Sequence, residues 1–450
     1  MTDREATDEE RYPTLSVEGR AMLKRLREHP HAPLYRNQSG NRLTAEEVEK
    51  VRAFEVEMGH AEFDWTGEKE PAWLPGFIAR CYDEVPFYRS LGPAPASLDF
   101  VPTVSRADLS ANIGAFVPDT VPLERMMHFR TSGTTGHPLL VPSHPVVAAS
   151  YLAFHKRALR RFGITLTAGR GEVGVVLLGL QQRCFTYVSV TPTMDEAGLA
   201  KINLHPDDWR DPEDRAKYLD ALEPEVLAGD PISFGELLSL PLTWKPRALL
   251  CTSMTLLPGL RRRLEERFEC PVLDLYSMNE AGPLAVFDAD PGGHVLLQPG
   301  MFVEILDEKD GRVPPGTRGE ITLTGGFNFC LPLLRYRTGD HASLDFSGAE
   351  PVLRDLAGRP PVRFRTAAGA WLNNLEVTHA FRDLDLPQWC VHQDTGGRLL
   401  LRHAGGRHLD EAASEKLKRL FGELPVAVEA LPLDGKKRVQ YTTDLPDPDL

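Results

Sequence analysis

The feature that most constrains this chain lies between residues 121 and 291, where short apolar runs alternate with amphipathic helical stretches. Runs too short for a helix, each followed by helical periodicity, are the pattern of βα units and of a mostly parallel sheet covered by helices. Residues 173–180 and 248–251 read as buried strands of such a sheet. Leu260, Leu264 and Phe268 recur at i, i+4 and i+8 on a stretch otherwise rich in Arg and Glu, the stripe of a helix docked on a core. Residues 272–276 follow as the next strand. Thr44 with Glu47 three positions on has the spacing of a capping box and marks a helix start.

After Gly300 the texture changes. Residues 302–306, the turn Pro314-Pro315-Gly316 and residues 320–323 suggest antiparallel strands or a small barrel. A last unit spans 358–450, with a helix over 409–421, a strand near 426–430 and Gly358-Arg359-Pro360-Pro361 as its linker. A length of 450 residues predicts two or three domains. We expect an N-terminal helical extension (1–75) docked through Trp65, Trp73 and Phe77, a core (76–357), and a small C-terminal cap (358–450).

Apolar residues at 42% supply a sizeable core, and 51 Lys+Arg against 64 Asp+Glu leave a net charge of −13. That balance argues against a nucleic-acid partner and against an anionic membrane surface. An anionic ligand must then be held by local devices such as loop amides, a helix N-terminus or a few placed cations. The first 13 residues lack the apolar centre of a signal peptide, and residues 173–180 fall far short of the roughly 20 needed to span a bilayer. Six cysteines are scattered with no CxxC pair. These features lead us to expect a soluble cytoplasmic protein; they leave its oligomeric state, monomer or homodimer, open.

Four segments bear on chemistry. Thr131-Ser132-Gly133-Thr134-Thr135-Gly136 offers open amides and hydroxyls that can wrap phosphate oxygens, because glycine lets the backbone approach. It lacks the GxxxxGK[ST] pattern of nucleotide kinases, and the alternative is a polar surface turn. Tyr276-Ser277-Met278-Asn279-Glu280 closes a strand, and strand C-termini are where α/β proteins gather their sites. Asp340 ends the tight turn after Arg335-Tyr336-Arg337-Thr338-Gly339. Gly435-Lys436-Lys437-Arg438 lies almost at the end of the chain. Each alone reads as structural; their shared order does not.

With these segments in this order, the chain resembles the adenylate-forming ligases, specifically the phenylacetate–CoA ligase-like branch. Val85-Pro86-Phe87-Tyr88-Arg89, and the stretch 101–109 that follows, extend the similarity to about residues 75–440. The resemblance implies an α/β fold: a large layered α/β N-terminal domain, a small β-barrel-like section, and a small mobile α+β C-terminal domain. It implies that Thr131, Ser132, Gly133, Thr134, Thr135 and Gly136 cradle the β- and γ-phosphates of ATP, with Thr134 or Thr135 near Mg²⁺. Tyr276 would stack on adenine, Thr252 and Ser253 would line the adenine site, and Glu280 would help hold the metal. Asp340 would accept both ribose hydroxyls, Arg359 would reach ribose or phosphate, and Lys436 or Lys437 would bridge the carboxylate and the α-phosphate. Gln181, Arg183, Phe185 and Tyr187 lie where the family builds its acyl pocket, and their hydrogen-bonding character suits a hydroxy- or amino-aryl acid.

The implied activity is ATP-dependent conversion of an aryl or substituted-aryl carboxylic acid to an acyl-AMP, followed by transfer to CoA. An amine or a carrier-protein thiol is the alternative acceptor. Three departures stand out: Leu139 and Val362 replace a usual lysine and aspartate, and Cys251-Thr252-Ser253-Met254 replaces a Gly-Gly-Glu-like stretch. Leu139 and Val362 keep open a reading of another class, a nucleotide-binding scaffold without turnover.

Overall fold

In the computed structural model, the βα alternation becomes one continuous sheet. The structure describes residues 6–66, 69–130, 139–357, 362–381, 384, 386, 389–403, 406–431 and 439–446. Helix α1 (Val17–Glu28) lays Met22, Leu23 and Leu26 into the same apolar core as the sheet residues Val176 and Ile202. Helix α2 (Ala45–His60) begins at Thr44, where both bonds of the capping box form, and it packs along the later helix Pro145–Arg161. Between them comes α3 (Arg106–Ala111), a short helix capped by Ser105. Helix α4 (Pro145–Arg161) starts with Pro145, whose missing N–H costs nothing in the first turn. Trp65 docks edge-on against Phe302 and Phe346, so the N-terminal segment shares its cores with the main body.

The strands are β1 (Val173–Gly179), β2 (Tyr187–Thr191), β3 (Ala197–Asn203), β4 (Val226–Gly229), β5 (Ala248–Cys251) and β6 (Val272–Met278). They continue as β7 (Gly282–Asp288), β8 (Gly293–Leu296), β9 (Met301–Leu306), β10 (Gly319–Gly325), β11 (Leu333–Asp345) and β12 (Val352–Ala357). Their order in the sheet is β9-β10-β11-β12-β8-β7-β6-β5-β4-β1-β3-β2. Neighbours among β3, β1, β4, β5 and β6 run parallel. Every later pair is antiparallel, so the strands after residue 300 extend the same ladder. Helix α5 (Pro258–Phe268) crosses from β5 to β6 and buries Leu260, Leu264 and Phe268 on the sheet, as its spacing predicts.

The C-terminal residues have a core of their own, with Phe364, Val377, Leu401, Leu417 and Phe421 at its centre. Helices α6 (Asn374–Ala380) and α7 (Asp410–Phe421) accompany a four-stranded sheet there. Among the described residues, no helix is long and apolar enough to cross a membrane.

Candidate active site

The end of β6, the interior of β11 and one short parallel pairing assemble the site, so Asp340 lies within a strand and does not end a tight turn as its sequence suggests. Strand β6 delivers Tyr276, and the turn into β7 holds Glu280. Gly282 closes that turn at φ +76°, and a Cβ there would sit 2.7 Å from the Phe327 ring, so only glycine suits it. Strand β11 brings Asp340 alongside: the Tyr276 hydroxyl donates to Asp340 Oδ2 at 3.1 Å. Burial, and then the Asp340 charge, push the Tyr276 hydroxyl well above its ordinary pKa. Gly339, at φ +73°, donates its N–H to the Glu320 carboxylate at 2.7 Å, and this fixes the chain just before Asp340.

Residues Val104–Ser105 pair in parallel with Tyr336 and Arg337 of β11. That register sets Arg106, the first residue of α3, beside Tyr336. Both then donate to one atom: Arg106 reaches Glu280 Oε1 at 2.8 Å and the Tyr336 hydroxyl reaches it at 2.7 Å. Glu280 is only 3% exposed. A buried carboxylate is tolerable when a cation and further hydrogen bonds compensate it, and here both are present. Glu280 Oε2 makes no bond to any described residue.

Thr252 and Ser253 follow β5 at the C-terminal end of the sheet. Thr252 donates its N–H to the Gly229 carbonyl, and the two hydroxyls lie 3.3 Å apart. Ser253 holds φ +76°, where an L-residue costs about 1–2 kcal/mol. Replacing Ser253 by glycine is expected to raise the unfolding free energy in urea by about 1 kcal/mol, once the greater freedom of unfolded glycine is subtracted. A loss of stability would mean that the hydroxyl pair outweighs the backbone strain.

Beside this turn, between α4 and the sheet, lies a mostly apolar cavity of about 400 Å³. The Tyr151 hydroxyl of α4 donates to the Asn279 carbonyl at 2.7 Å, and both residues line the cavity. Of the four residues expected around an acyl group, Tyr187 lines it; Gln181, Arg183 and Phe185 do not. The Gln181 backbone is tied to Asn203, the Gln182 N–H donates to the Glu376 carboxylate of α6, and Phe185 is exposed. Leu139 and Val362 are both buried in apolar cores, so packing fills the two positions where the family's charges are missing. Thr131, Ser132, Gly133, Thr134, Thr135, Gly136, Arg359, Lys436 and Lys437 lie outside the described residues.

Sequence reasoning missed Arg106, Tyr336, Tyr151 and His155. Tyr151, His155 and Leu159 form an i, i+4, i+8 stripe that was readable on α4. Arg106 carries no such signal, because its partner is 174 residues away.

Parts of the chain are similar to known proteins. Residues 126–329 match the family model described as AMP-binding enzyme. Protein CapK of Staphylococcus aureus is 20% identical over 257 residues, which cover 56% of this chain and 55% of that protein. Phenylacetate-coenzyme A ligase of Pseudomonas putida is 33% identical over 99 residues, or 21% of this chain and 23% of the ligase. The chain thus matches about half the length of the first of these curated relatives and less of the other. Among solved structures, 2-hydroxyisobutyryl-CoA ligase in complex with 2-HIB-AMP and CoA in the thioesterification state is alike in fold. That likeness has a TM-score of 0.53 at 18% identity, covering 89% of this chain and 91% of that one.

Proposed function

We propose that this chain, whose residues 126–329 make an AMP-binding-enzyme domain, activates a small-molecule carboxylic acid with ATP and passes the acyl group to a thiol, CoA by preference. One observation carries the reading. The Tyr276–Asp340 pair and the Arg106–Glu280–Tyr336 cluster lie beside a mostly apolar cavity.

In this reading a carboxylate oxygen attacks the α-phosphorus of ATP, the bond from that phosphorus to the α,β-bridging oxygen breaks, and pyrophosphate leaves. Asp340 accepts the ribose hydroxyls, which suits an anion with two acceptor oxygens. The Tyr276 ring offers its face to adenine while its hydroxyl steadies Asp340. The amides of 131–136 receive the phosphates, and Lys436 or Lys437 relieves repulsion between the two anionic reactants. Arg359 completes the ribose and phosphate contacts. Leu139 leaves the phosphates without the family's usual lysine, so backbone amides take a larger share of that task.

Among the described residues, no group of three or more His, Cys, Asp and Glu side chains is arranged to hold a metal ion. Mg²⁺ shared with nucleotide phosphates needs only one or two protein carboxylates, so Glu280 fits it through Oε2. When bound it would supply charge neutralisation on the phosphates. Arg106 and Tyr336 keep Glu280 in one orientation for that task.

The test is pyrophosphate release from MgATP with pooled aryl, alkyl and amino acids, run with hydroxylamine and again with CoA. Release dependent on one pool is the expected result, and the stimulating acceptor separates thioester from amide formation. Nucleotide binding with no release in any pool favours the scaffold reading.

A further inference from the structure

The cavity between α4 and the sheet has one wall of Ala148, Leu152 and Leu159 and another of Val175, Ala228 and Leu250. The Tyr151–Asn279 bond joins it to the Glu280 turn. From Tyr151 to Leu159 the helix advances about 12 Å at 1.5 Å per residue. A ring on a short linker fits that length, with its carboxylate toward Asn279.

Among the polar groups of the lining are His155, one helical turn beyond Tyr151, and Tyr187 of β2. Neither side chain has a hydrogen-bond or ion-pair partner among the described residues. Burial lowers the His155 pKa to about 4 and raises that of Tyr187 to about 12, so both are uncharged at neutral pH. A neutral imidazole and a phenol each present one donor and one acceptor. Both side chains are half-buried at the cavity; a ligand that covers them and supplies the missing bond is favoured over one that covers them and leaves it unmade.

We propose that His155 and Tyr187 are specificity-determining residues that select, among apolar carboxylic acids, those bearing a hydrogen-bonding substituent such as a ring hydroxyl. This rests on the acyl-AMP reading above. A pocket built to bond a hydroxyl discriminates strongly against the analogue that lacks it.

The probes are non-hydrolysable acyl-sulfamoyl adenosines of phenylpropanoic acid and of its meta- and para-hydroxy analogues, with sulfamoyl adenosine itself as the acyl-free control. Each is titrated calorimetrically into the full chain, its Tyr187→Phe variant and its His155→Leu variant. One hydroxylated probe is expected to bind the unaltered protein about 100-fold more tightly than the plain one. Each variant should lower that ratio at least tenfold. Equal affinities in the unaltered protein, or a ratio that neither variant changes, overturn the specificity assignment and leave the acyl-AMP reading standing. If no acyl probe binds better than sulfamoyl adenosine, both fall. Tyr187→Phe removes a single oxygen, so the comparison survives if His155→Leu fails to fold.

Discussion

Replacing Arg106 by leucine is expected to lower the unfolding free energy by about 3–5 kcal/mol, the usual cost of leaving one partner of a buried ion pair unpaired. Glu280 is 3% exposed and the Arg106 side chain is 15% exposed, so water cannot take over the lost contact. Tyr336 would still donate to Glu280 Oε1, but a neutral hydroxyl does not offset a buried negative charge. Adding Glu280→Gln should restore much of the loss, because it removes the orphaned charge. Urea unfolding of the two single variants and the double variant forms a cycle whose coupling energy isolates the pair. A loss under about 1 kcal/mol in Arg106→Leu would place this pair with solvated surface pairs and remove it as the element that orients Glu280.

The second large effect belongs to the late lysines. One of Lys436→Ala and Lys437→Ala is expected to slow adenylation about 100-fold or more, the range seen when a group that stabilises developing charge is removed. Thioester formation from supplied acyl-AMP should change less than about fivefold, because no phosphorus is attacked in that step. Single-turnover measurements of each half-reaction make the comparison. Equal losses in both halves would exclude the bridging role; two silent variants would move the charge-relieving task to another cation.

What the sequence made legible follows from how local each signal is. The strands β1, β5 and β6, helix α5 and the Thr44 cap rest on neighbours within about ten residues, and their boundaries emerge within two residues of expectation. The strands after Gly300 were visible as strands, but their continuation of the main ladder was not. That depends on β12 pairing with β8 more than fifty residues earlier in the chain. In the site, Tyr276 and Asp340 stood out as motif residues. Arg106 did not, since a two-residue parallel pairing with β11 is what brings it to Glu280. The expected acyl pocket fell on residues 181–187 because the family resemblance puts it there. The cavity instead lies between α4 and the sheet face, while the start of the loop is held by Asn203 and Glu376.

The central claim is that a carboxylate oxygen of the substrate becomes bonded to the α-phosphorus of ATP. Its most direct test uses an acid chosen from the pooled panel, labelled with ¹⁸O in both carboxylate oxygens, turned over with MgATP and CoA. Acyl transfer from a mixed anhydride cleaves the acyl carbon–oxygen bond and leaves that oxygen on the nucleotide. The account predicts AMP carrying one ¹⁸O atom per turnover and unlabelled pyrophosphate. ADP as product, with the label in inorganic phosphate, would contradict it.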